Sequence, residues 1–135
     1  MVNPKTELRR KVRTLCRENP RYHPEAYGFV FSALHFTISR LPQHRHVTGQ
    51  ELLEGIRTYG MDQFGPLTRQ VFEHWGIHST EDFGRIVFSM VEAKLLGKTE
   101  EDSLADFQGV YDFADALDPR SLFKLSDPSQ PKISS

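Results

Sequence analysis

HVTGQELLEGIRTYGMDQFGPLTRQVFEHWGIHSTEDFGRIVFSMVEAKLLG, residues 46–97, is the stretch whose reading decides the fold. Thr48-Gly-Gln-Glu51 has the form of a capping box, in which the threonine hydroxyl takes one orphan amide and the glutamate returns to the threonine's own. Leu52, Leu53, Ile56, Tyr59 and Phe64 follow at helical spacing. Gly65-Pro66 breaks this helix and restarts the chain as another, lined by Leu67, Val71, Phe72 and Trp75. Gly76 suits a left-handed position just past a helix end. Ser79 then caps a third helix, with Glu81 and Asp82 favoured by the helix dipole. Its apolar positions are Phe83, Ile86, Val87, Met90, Val91 and Leu95. Three helices with these breaks follow the order of a helix-turn-helix or winged-helix domain.

Upstream, Asn3-Pro4 and Glu7 read as the start of a helix over 4–18, with Leu8, Val12 and Leu15 on a narrow apolar stripe. Asn19-Pro20 stops it, because the residue before a proline is pushed out of the α region. The next helix, 24–40, is different in kind. Ala26, Tyr27, Phe29, Val30, Phe31, Ala33, Leu34, Phe36 and Ile38 point in nearly every direction, as in a helix buried on all sides. It is expected to be the hub, with Gly28 allowing a neighbour to come close.

Downstream, FQGVYDF (107–113) carries two patterns. Phe107, Gly109, Tyr111 and Phe113 alternate as in a strand, whereas Leu104, Phe107, Tyr111 and Ala114 are spaced as in a helix. The aromatic enrichment and Gly109 favour a small β-hairpin with residues near Leu95–Lys98, which would be the wing. The fold expected is therefore mainly α: one helical domain over 1–118, with a winged-helix-like part at 47–113 and a β-hairpin. The Pro/Ser-rich tail 119–135 is expected to be loosely attached, although Leu122, Phe123 and Leu125 could dock back.

Composition bounds the function. At 135 residues and 38% hydrophobic content, the chain has material for one core. It contains no apolar run long enough to span a bilayer, and MVNPKTELRRKVR lacks the apolar segment of a signal peptide. One cysteine, Cys16, excludes an internal disulfide and a multi-cysteine zinc site, so a cytoplasmic location is expected. The net charge of −1 hides an asymmetry. Residues 1–21 hold seven Lys/Arg against two acids, while 79–118 hold ten acids against three bases. Such a field steers partners or pairs one end of the molecule with the other.

Catalytic and metal motifs are wanting. His44 and His46 flank Arg45 in a loop, and Gly76 interrupts the face that His74 and His78 would need to share as metal ligands. The acids Glu100, Glu101, Asp102, Asp106, Asp112, Asp115 and Asp118 do not follow an EF-hand loop. There is no G-x-S-x-G and no glycine-rich phosphate loop; the arginines near Cys16 could lower its pKa, but its place beside the Leu8/Val12/Leu15 stripe favours a partly buried structural thiol. No enzyme activity, cofactor or metal is expected. A metal-dependent enzyme built on 100–118 is the remote alternative.

Two surfaces remain. The third helix of the opening stretch has an apolar arc over half its circumference, leaving Asp82, Arg85, Ser89 and Glu92 as its polar strip. With more acid than base it is a poor reader of DNA bases. Together with Phe88 these residues are the candidates for contact with another protein or a second copy. The other surface is the basic N-terminal helix, where Arg9, Arg10, Lys11, Arg13, Arg17 and Arg21 could meet the phosphates of a nucleic acid. A non-enzymatic binding or adaptor module, chiefly for protein–protein contact or self-association, is the function expected. A nucleic-acid accessory protein is the alternative.

PEAYGFVFSALHF (24–36), VTGQELLEGIRTYGMDQFGP (47–66), WGIHSTEDFGRIVFSMVE (75–92) and DFQGVYDF (106–113) also resemble a family of small proteins found mainly in planctomycetes and verrucomicrobia. The resemblance spans about residues 20–117. It implies a bacterial, cytoplasmic protein and transfers no activity, ligand or catalytic residue.

Overall fold

The computed structural model describes residues 4–43, 45–97 and 104–120. These form six α-helices: α1 (Pro4–Glu18), α2 (Pro24–Ser39), α3 (Gly49–Phe64), α4 (Thr68–His74), α5 (Thr80–Glu92) and α6 (Phe113–Ala116). A 3-10 turn, Gly65–Leu67, joins α3 to α4, and another spans Leu104–Phe107. No described helix is long and apolar enough to cross a membrane.

The hub is α2. Ala26, Tyr27, Phe29, Val30 and Ala33 are all buried, which an amphipathic surface helix would not allow. Its start is set by His23, whose imidazole Nδ1 accepts the Glu25 amide at 3.1 Å, a cap that the search for Ser, Thr, Asp or Asn passes over. Phe29 sits in an aromatic cluster with Tyr59, Phe64, Phe72 and Trp75, their ring centroids 5.4–5.7 Å away. Phe72 extends the cluster to Phe83 of α5 and Phe113 of α6. Five helices, α2 to α6, thus meet in one core.

Close approach between helices comes from glycines, but not from Gly28, which has nothing near its missing side chain. A Cβ on Gly55 of α3 would overlap the Thr37 hydroxyl of α2. A Cβ on Gly84 would lie 2.8 Å from Phe107, so the 104–107 turn presses directly on α5.

The capping signals of the central stretch form as read. Thr48 and Glu51 complete the box at α3, with Thr48 Oγ1 accepting the Glu51 amide at 3.1 Å and Glu51 Oε1 accepting the Thr48 amide at 3.0 Å. Gly76 has φ +88° at the end of α4, where the Ile77 amide returns to the Phe72 carbonyl at 2.9 Å. Helix α5 ends earlier than its periodicity suggests. Lys94 takes φ +63°, and the Leu95 amide reaches back to the Met90 carbonyl at 2.8 Å. This is the same left-handed stop with a lysine in the place usually given to glycine, so the sequence carries no mark of it.

The mainly helical class stands, but the winged-helix-like core and its wing are not supported. Among the described residues there is no strand, and the β-hairpin is not formed by them. The partner expected near Leu95–Lys98 begins with the left-handed end of α5, and Lys98 lies outside the described residues. On the other side, Gly109 at φ +57° breaks the extended run. Each aromatic of the segment then goes to a different place. Phe107 packs edge-on against Phe88, Tyr111 donates its hydroxyl to the Leu53 carbonyl at 2.8 Å, and Phe113 joins Phe72 and Phe83. The segment's own backbone is satisfied by a side chain rather than a ladder: Thr80 Oγ1 donates to the Phe107 carbonyl at 2.5 Å and accepts the Val110 amide at 3.3 Å. Of the tail expected over 119–135, all beyond Arg120 lies outside the described residues.

Candidate binding surfaces

A partly open apolar cavity of about 220 Å³ lies between α2, α3, α5 and the 104–107 turn. Leu34 and Ile38 come from α2, Leu52 from α3, Val87, Phe88 and Val91 from α5, and Phe107 from the turn. Val47, Leu96 and Gly97 complete the wall, while Arg45, His46 and Thr48 stand at one end. These positions exist because the apolar arc of α5 is wider than one neighbour can cover. The polar end is already engaged. The Arg45 guanidinium donates to both carboxylate oxygens of Glu51, at 3.0 and 2.7 Å. Arg45 and the Thr48 amide together pull the Glu51 carboxyl down to about 2.

The polar strip of α5 does not lie open as its helical wheel suggests. Asp82 is buried and is the centre of a clamp. It accepts the Tyr22 hydroxyl at 2.5 Å, the His78 amide at 2.8 Å, the Ser79 amide at 3.3 Å and the Arg85 guanidinium at 2.9 Å, with Arg21 at 3.7 Å. Burial alone would raise its pKa, but the Tyr22 hydroxyl, the His78 amide and the two guanidiniums outweigh this and hold the carboxyl below its usual value. The same contact, added to burial, pushes the Tyr22 phenol up to about 12. Arg85 is half-buried on Asp82, and Phe88 is half-buried against Phe107 and the cavity. Ser89 is half-buried as well, leaving only Glu92 exposed, at a shallow depression shared with Arg10, Lys11 and Glu18 of α1. The wide apolar arc is thus covered in part from within the chain, by the 104–107 turn along Gly84 and Phe88, and lines the cavity at Val87 and Val91.

The basic helix is different. Arg10 and Lys11 are engaged by Glu7 within α1, at 2.6 and 3.5 Å, and Arg21 turns to Asp82. Arg9, Arg13 and Arg17 are exposed and form no ion pair with any described residue. Arg21–Asp82 is thus an ion pair between the basic residues 1–21 and the acidic region, while Glu100, Glu101 and Asp102 lie outside the described residues. Cys16 of α1 is half-buried at 3.8 Å from the Tyr22 carbonyl, and burial pushes its thiol pKa up rather than down.

No group of three His, Cys, Asp or Glu capable of holding a metal occurs among the described residues. His74 faces His23 with ring centroids 5.8 Å apart, whereas His78 is exposed beyond Gly76. His46 stands at the cavity rim, and His44 lies outside the described residues. Glu100, Glu101 and Asp102 also lie outside them. Asp112 caps α6 by accepting the Ala114 amide at 3.2 Å, and Asp118 holds Arg120 at 2.7 Å.

Tyr22 and the cavity were not singled out from the sequence. A lone tyrosine in the short connection after α1 carries no signal of a partner 60 residues away. The cavity had one indirect sign, the excess apolar arc of α5, which reads equally as a covered face. No family model, no curated protein and no solved structure matches the chain.

Proposed function

We propose that the chain is a non-enzymatic binding module that holds an anionic macromolecule, a nucleic-acid strand, on the exposed face of α1. The observation that carries this reading is the row Arg9, Arg13 and Arg17. They stand four residues apart, so they share one helix face, and no described acid neutralises them. Unpaired guanidiniums on a rigid helix suit phosphates and carry no base specificity, since base edges require a reading element in a groove. The acidic excess of 79–118 repels the same partner and orients the encounter. Resemblance to the planctomycete and verrucomicrobial family belongs to this proposal and fits a bacterial, cytoplasmic module.

The test is anisotropy of a labelled single-stranded RNA and DNA at low salt. Binding is expected to weaken steeply as salt rises and to vanish when Arg9, Arg13 and Arg17 become glutamate. Unchanged binding in that variant, or none at low salt, removes the reading.

A second reading, contact with another protein or a second copy beside α5, is favoured by Leu104. It packs against Gly84 yet stays 40% exposed. Light scattering on a sizing column tests self-association; a monomer at the highest attainable concentration ends it.

A further inference from the structure

We infer that the cavity between α2, α3 and α5 is a binding site for an uncharged, ring-sized apolar molecule. Three features define the occupant. The first is size. At about 220 Å³ the partly open cavity is larger than an apolar cavity of ~150 Å³ that holds benzene, and it falls short of the roughly 300 Å³ at which drug-sized pockets begin. A substituted single ring or a small bicycle fits between those limits.

The second is the wall. Leu34, Ile38, Leu52, Val87, Val91 and Phe107 present carbon. A water there would find few of the two to four polar partners it needs. Phe88, half-buried at this wall and edge-on to the buried Phe107, offers its ring to an aromatic guest.

The third is charge. Arg45, which lines the cavity, already donates to both oxygens of Glu51, and Thr48 is spent on the cap of α3. An anionic head would have to displace Glu51 and break the capping box. The end of the cavity therefore tolerates a hydroxyl or ring N–H and rejects a carboxylate. The site is separate from the arginine row of α1, so it stands or falls independently of nucleic-acid binding.

Indole and indole-3-carboxylate, added separately to the full chain, make the experiment. Indole at ten times its dissociation constant is expected to raise Tm by about 4 °C. It is also expected to shift the methyl resonances of Leu34, Ile38, Val87 and Val91 selectively. The carboxylate is expected to do neither at the same concentration. Two cavity-filling variants, Val87→Phe and Val91→Phe, provide the control, with folding checked by circular dichroism so that at least one serves. Each folded variant should lose the indole response. No methyl shifts with indole overturns the site. Indole binding that survives filling overturns its location, and equal binding of the carboxylate overturns the uncharged class.

Discussion

Asp82 shows how one residue can be read correctly and still misplaced. As an acid in the first turn it is favoured by the dipole of α5, and its carboxylate accepts the Ser79 amide at 3.3 Å. Its second task, accepting the Tyr22 hydroxyl, ties the α1–α2 connection to α5 across the fold. Asp82→Ala would strand that hydroxyl and two amides, at a cost of about 3 kcal/mol. Tyr22→Phe, which removes one charge-assisted bond, should cost about 1.5 kcal/mol. The pH dependence follows from the depressed carboxyl. A folded pKa below the unfolded value near 3.9 means the stabilisation is complete above that value and is lost as pH falls through the folded pKa. Urea midpoints at pH 7 and pH 3 should therefore fall further in the wild type than in Asp82→Ala; parallel falls would contradict the clamp.

Helix pairing depends on contacts that propensity does not foresee. Gly55 costs α3 about 1 kcal/mol in helix propensity relative to alanine, and surface reasoning would replace it. Because its missing Cβ makes room for the Thr37 hydroxyl, which donates to the Ala33 carbonyl at 2.7 Å, the replacement should instead destabilise by about 2 kcal/mol. Thr37→Ala in the Gly55→Ala background should recover more than half of the loss, since the clash is with that side chain. Additive costs in a double-mutant cycle would show that the two do not meet. The segment 104–113 teaches the same lesson. Its strand and helix patterns were both present, but Gly109, Thr80 and the separate packing of Phe107, Tyr111 and Phe113 left only a 3-10 turn over Leu104–Phe107. A local pattern fixes an element only when its faces have somewhere to go.

At the scale of the whole molecule, a chain of net charge −1 carries its surplus arginines on one outer helix. Binding through three phosphate contacts to a single strand gives a salt slope of about −2, since each contact contributes about 0.7. The triple glutamate variant should flatten the slope as well as weaken the affinity. A slope left unchanged would mean that the contacts lie elsewhere.

What the sequence determined by itself was the set of helices and their ends wherever local chemistry states them: the Thr48–Glu51 box, Gly65-Pro66, Gly76, and the all-round apolar face of α2. Those features act within one or two turns, where spacing along the chain equals spacing in space. Tertiary structure alone decided which of the polar residues on α5 remain accessible, which arginines of α1 stay unpaired, and that an apolar cavity lies beside Phe88. Each of these depends on which distant side chain fills a given volume, and residues 22 and 82, or 55 and 37, become neighbours only when the helices pack.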